Sequence, residues 1–85
     1  FTVSGNSMLP TLKPGRDVLV WRWFYQPKKG DIVAVKVNGK EIIKRISKTN
    51  DRYILIMGDN KKESTDSRNF GPISKEEIIG KVIWY

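Results

Sequence analysis

Asn38-Gly39 constrains the fold more than any other pair of neighbours in this chain. Both residues tolerate positive φ, and they stand between two strand-like runs, Asp31 to Val37 and Glu41 to Lys48. Asn-Gly at such a junction predicts a tight antiparallel hairpin, because mirror-image turns match the right-handed twist of the strands they join. The rest of the sequence repeats the pattern of short apolar runs cut by turn residues. Lys13-Pro14-Gly15 leads into a strand over Asp17 to Trp23, and Gln26 to Gly30 leads into the hairpin. Thr49-Asn50-Asp51 separates the hairpin from a strand that opens at Arg52-Tyr53 and runs through Met57. Ile79 to Trp84 reads as a last strand and Phe1 to Ser4 as a short first one. Met8 to Leu12 suits a helical turn, and Ser74-Lys75-Glu76-Glu77 fits a capping box with Ser74 as N-cap and Glu77 reaching back. The expected fold is mainly β and antiparallel, with one or two short helical turns. The 85 residues have room for a single small domain with a modest core.

Composition narrows the chemistry. There is no cysteine, which removes disulfides, thiolate nucleophiles and Cys-held metals. There is no histidine either, which removes a Ser-His-Asp triad, a His general base and His-ligated zinc. No metal or other cofactor is expected. A serine hydrolase built on this chain has to take its base from Lys, Asp or Glu. The net charge of +7 suits nucleic acid, anionic lipid or no specific partner. No apolar run approaches the roughly 18 residues that span a bilayer. Phe1 is not an initiator methionine, so the expectation is that an upstream segment, such as a membrane anchor, has been removed.

Three stretches carry chemistry-bearing residues. The first is Ser4-Gly5-Asn6-Ser7-Met8-Leu9-Pro10-Thr11-Leu12, where Ser7 sits between a flexible lead-in and a Pro-containing turn. The second is Glu41-Ile42-Ile43-Lys44-Arg45-Ile46. On a strand, Lys44 shares its face with Ile42 and Ile46, and Arg45 points the other way. Burial disfavours a charged amine, so its pKa should fall, and a neutral amine is a competent base toward a hydroxyl. A lysine that snorkels from a strand edge fits the same pattern. The third stretch is Gly58 to Gly71, dense in Asp, Asn, Ser and Thr. Composition suits a solvated loop, and its length suits a functional one. Asp66 and Arg68 are placed to pair and fix it, which would aim Ser64 at a neighbouring amine. Outside these stretches, Trp21 and Trp23 share a strand face expected to be core, and Phe24 and Tyr25 run on into the turn. With Arg22, Lys28 and Lys29 nearby, the cluster suits a membrane interface or stacking of single-stranded nucleic acid.

In this order, Ser4 to Leu12, Ile43-Lys44-Arg45-Ile46 and Gly58-Asp59-Asn60 through Ser64, Asp66, Ser67, Arg68 and Gly71 resemble the boxes of the type I signal peptidase family. The resemblance implies the small antiparallel β domain shared by signal peptidases and SOS-type repressors. It also implies a Ser/Lys dyad. Ser7 would attack the scissile carbonyl and Lys44 would take its proton. Ser64 would orient the Lys44 amine, and Asp66 and Arg68 would brace the loop, with Asp59 and Asn60 as structural members. The Ser7 backbone N–H would donate to the oxyanion. Where some members carry a second donor serine, this chain has Gly5, which leaves that role to water or another side chain. A precursor polypeptide would bind as an extended strand between Phe1 to Gly5 and Glu41 to Lys44, with Val3, Gly5, Met8, Ile42 and Ile43 around pockets for small residues at −1 and −3. Only Ser47 to Met57 separate the second and third boxes, so the extra β domain of larger members is absent.

The resemblance leads to a protease that removes leader peptides from secreted precursors. Its catalytic domain would work at a membrane surface on the extracytoplasmic side, with no nucleic acid as partner. Two alternatives remain at this point: a soluble cytoplasmic maturation protease of the nickel superoxide dismutase type, and a non-enzymatic basic β-barrel that binds nucleic acid.

Overall fold

The computed structural model describes residues 1–22 and 26–84, with Trp84 given by its backbone. Among these residues, six antiparallel strands form one sheet: β1 (Leu19–Trp21), β2 (Ile32–Val37), β3 (Lys40–Thr49), β4 (Tyr53–Met57), β5 (Ile73–Ser74) and β6 (Ile78–Trp84). Their order across the sheet is β1-β6-β2-β3-β4-β5. The mainly β, antiparallel expectation holds. Asn38 and Gly39 adopt φ of 50° and 80°, the mirror-image turn expected between β2 and β3.

Strand β2 explains how so small a domain holds together. Its run Ile32-Val33-Ala34-Val35 is buried on both faces. Ile32 packs on one face with Val3, Met8, Leu12, Val18 and Val82. Val33 and Val35 pack on the other with Ile46, Ile54, Ile56 and Ile73. Full burial of each such side chain contributes about 1.5–3 kcal/mol. The N-terminal segment thus covers one face of the sheet, and the chain following β4 returns to the other.

Several local expectations change. Phe1 to Ser4 makes a single bridge, Thr2 with Asp17, in place of a regular strand. The N–H of Val3 donates to Arg16 O at 2.8 Å and that of Val18 to Phe1 O at 2.8 Å, so Val3 is anchored without a full ladder. Met8 to Leu12 makes one hydrogen-bonded turn, Leu12 N to Met8 O at 2.9 Å, which turns both apolar side chains inward. Trp21 is half exposed and is not core: Val20 packs inward, so Leu19 and Trp21 on either side of it face out. The expected partnership of Trp23 with Trp21, and the run-on of Phe24 and Tyr25, lie outside the described residues. The Gly58 to Gly71 stretch holds a 3₁₀ turn, Lys61–Glu63, and a one-turn helix, α1 (Ser67–Phe70). Ser74 does cap a turn, the 3₁₀ stretch Lys75–Glu77, but its hydroxyl accepts from the N–H of Glu76. The short strand β5 went unread because Ile73-Ser74 is too brief to show a period.

Candidate active site

Strand β3 is ten residues long, but β4 pairs only with its second half, starting where Met57 meets Arg45. From Lys40 to Lys44 its outer edge carries no strand among the described residues. The chain leaves the sheet at Gly58, and the turn containing Ser7 meets it there. The Ser7 carbonyl accepts from the N–H of Asn60 at 2.8 Å, which joins the first and third sequence blocks through their backbones. Gly58 is required at this junction. A Cβ there would stand 2.5 Å from the Ser7 carbonyl oxygen and 2.6 Å from Ser64 Cβ. The absent side chain lets the Ser7 turn and Ser64 close on the same point.

Lys44 lies 5% exposed on β3. The register sets it directly opposite Val33, on the face it shares with Ile46. Burial lowers its pKa below the ordinary lysine value; the Asp66 carboxylate works against that and the Arg68 guanidinium reinforces it. Ser7 and Lys44 line the same cleft of about 360 Å³ at the open edge of β3. Val3, Met8, Ile42 and Ile43 line it too. Gly5 belongs to the exposed lead-in to Ser7 and holds a φ of 71°, with open space where a Cβ would stand.

Asp66 is fully buried and near enough to Lys44 for its charge to act on the amine. Burial alone would raise its pKa, but hydrogen bonds from Arg68, Ser64 and the Gly58 N–H outweigh this and hold the carboxyl well below the usual carboxylate range. Ser64 Oγ donates at 2.7 Å and Gly58 N at 2.8 Å. Arg68 grips the same carboxylate with two nitrogens, Nε at 2.9 Å and Nη2 at 3.1 Å. Asp66 is also the N-cap of α1, with Asn69 closing the box on the Asp66 N–H. With the Arg68 backbone N–H at 3.2 Å, five donors fix this carboxylate as an anion whose charge reaches the lysine. The Ser64 hydroxyl, its proton committed to Asp66, turns lone pairs toward other donors.

A second clamp holds the segments around the cleft. Arg45 Nε and Nη2 grip Asp59 at 2.8 and 2.9 Å, and Arg45 Nη1 donates to Gly30 O at 2.7 Å. Thr11 Oγ1 donates to the same Asp59 carboxylate. Hydrogen bonds from Arg45 hold the Asp59 pKa down against burial, with Thr11 adding to the effect. Asp59 therefore ties the Ser7 turn, β3 and the third block into one unit. Sequence reasoning named Asp59 but missed Arg45 and Thr11. No local pattern marks them, because Thr11 and Arg45 meet Asp59 across 48 and 14 positions of sequence.

A model described as Peptidase S24-like matches residues 1–83. The chain belongs to the S24-like peptidase family. Among the relatives of this S24-like chain, the Arabidopsis thaliana mitochondrial ATP-independent inner membrane protease subunit 1b is 29% identical, covering 94% of this chain and 64% of the relative. The Schizosaccharomyces pombe mitochondrial inner membrane protease subunit 2 is 33% identical, over 96% of this chain and 61% of the relative. Staphylococcus aureus signal peptidase IB is 37% identical over 65% of this chain and 30% of the relative. The chain thus spans less than two thirds of each relative's length. These matches bear out the resemblance to type I signal peptidases carried by the three blocks, and the antiparallel β sheet agrees with it.

Proposed function

We propose that this chain is the catalytic domain of a serine endopeptidase that uses Ser7 and Lys44 as a dyad and removes leader peptides from precursor polypeptides. The observation that carries the proposal is the placing of Lys44: buried, its pKa lowered, and lining one cleft with Ser7. A neutral Lys44 amine accepts the Ser7 hydroxyl proton as Oγ attacks the scissile carbonyl. The Ser7 N–H stabilises the oxyanion. The resulting ammonium protonates the departing amine, and Lys44 then activates the water that hydrolyses the acyl-enzyme. Ser64 orients the amine, and Asp66, held by Arg68, stabilises the ammonium form as it appears. Asp59 and Asn60 keep the Ser7 turn in register.

The substrate binds as an extended strand along the open edge of β3, between Lys40 to Lys44 and Phe1 to Gly5. The backbone of Ile46 is already committed to the β2 side, through Asp31 O and Gly30 N. Alternation along the strand then turns the amides and carbonyls of Ile43 and Glu41 to the open edge. Small residues at −1 and −3 fit the space between Val3, Met8, Ile42 and Ile43. The domain works against a membrane surface, on its extracytoplasmic side, with Leu19, Trp21 and Ile83 exposed toward the lipid. No helix among the described residues is long and apolar enough to cross a membrane.

Ser7→Ala and Lys44→Met should each lower cleavage of a peptide with Ala at −1 and −3 by about 10⁴-fold or more. Cleavage retained in either variant contradicts the dyad.

A further inference from the structure

Glu41 is the acidic residue in the lining of the cleft that holds Ser7 and Lys44. It is exposed, and among the described residues it enters no ion pair, although Lys36 stands opposite it on β2. The other carboxylates in and around the site are committed: Asp59 to Arg45, and Asp66 to Arg68. Glu41 is thus an uncommitted anion at the mouth of a cleft in a chain of net charge +7. Its own backbone faces the open edge of β3, so a strand paired there passes beside its side chain. Lys44 acts at the cleaved bond, and β4 closes the edge from Arg45 onward. The space proposed for the −1 and −3 residues, by Ile42 and Ile43, lies on the Glu41 side of Lys44, so the upstream residues of the peptide run toward Glu41 and the peptide is parallel to β3. At about 3.3 Å per residue, Glu41 stands about 10 Å upstream of Lys44, at the level of the residues just before −3.

We propose that Glu41 is a specificity-determining residue: its carboxylate selects a lysine or arginine four or five residues before the cleaved bond and disfavours an acidic one there. This deepens the peptidase reading and rests on it for the direction of the bound strand. The overall positive field of the molecule would favour acidic peptides, so a preference for basic ones has to come from a local anion. An exposed pair of this kind is worth about two- to fivefold in kcat/KM.

The test uses peptides with Ala at −1 and −3 and Lys, Gln or Glu at −4 or −5. Their kcat/KM values are compared for the unaltered protein, Glu41→Gln and Glu41→Lys. Binding of the same peptides to the Ser7→Ala protein, with and without Glu41→Lys, is followed by fluorescence anisotropy. The expected Lys-over-Glu ratio is about two- to fivefold in the unaltered protein, smaller in Glu41→Gln and inverted in Glu41→Lys, with the same order in binding. A ratio that is the same in all three proteins overturns the proposal. If no peptide is cleaved but the binding order follows the charge at position 41, the peptidase reading fails and the role of Glu41 stands.

Discussion

At the scale of single residues, the site depends on one glycine as much as on its charged groups. Gly58 lets the Ser7 carbonyl and the Ser64 side chain approach a common point where a Cβ has no room. Gly58→Ala must push the Ser7 turn outward, displace Ser64 from Asp66, or both. A displacement of about 1 Å at a reacting group costs on the order of 10² in rate. The expected outcome is a fall of that order in kcat, with KM changed less, because the rest of the cleft is untouched. Steady-state kinetics on a peptide with Ala at −1 and −3 checks it, and a variant with normal kcat would show that the turn has slack. The contrast with Gly5 is instructive: it holds a positive φ of 71° but faces open space, so its constraint is conformational and not steric.

At the scale of elements, the Asp59 carboxylate couples three segments. Arg45 brings β3, Thr11 brings the Ser7 turn, and the Asp59 backbone belongs to the loop that leaves β4. Loss of the carboxylate charge should weaken the bidentate grip and release the Thr11 hydroxyl together. Asp59→Asn is expected to cost about 1–3 kcal/mol of stability and to lower kcat through misplacement of Ser7. Thr11→Val should cost less alone, and almost nothing further in the Asp59→Asn background, because both act on the same link. A double-mutant cycle read by thermal denaturation and by kcat measures this. Strict additivity would mean that Thr11 and Asp59 do not cooperate.

At the scale of the molecule, charge and exposed apolar surface act together. Leu19, Trp21 and Ile83 are each about half exposed on the outward side of β1 and β6, on a chain of net charge +7. Partition into vesicles containing anionic lipid should therefore fall with added salt, and Trp21→Ala combined with Ile83→Ala should reduce it about fivefold or more. A co-sedimentation series reads both effects, and a double variant that binds as well as the parent removes the stripe from the account. Much of the architecture was legible in the sequence. Asn38-Gly39 and the apolar run at Ile32 have periods and turn chemistry that hold regardless of context, and the three blocks announced the family. What was hidden depended on long-range contact. Trp21 read as core because alternation gives two faces without saying which one is covered. The Thr11–Asp59–Arg45 clamp joins residues separated by as many as 48 positions, and no local pattern marks it. The Phe1 to Ser4 strand shrank to a bridge because its pairing partner, Arg16 to Val18, is itself irregular.

The central claim is that buried Lys44 is the base that activates Ser7. It is tested most directly by the pH dependence of kcat/KM for a peptide with Ala at −1 and −3 and no titrating side chain. Only the neutral amine can accept the Ser7 proton, and burial lowers the Lys44 pKa from 10.5. The rate should accordingly rise with pH as Lys44 loses its proton, and level off before the pH reaches that ordinary lysine value. A profile that is flat from about pH 6 to about pH 10, or that falls over that range, would contradict Lys44 as the base.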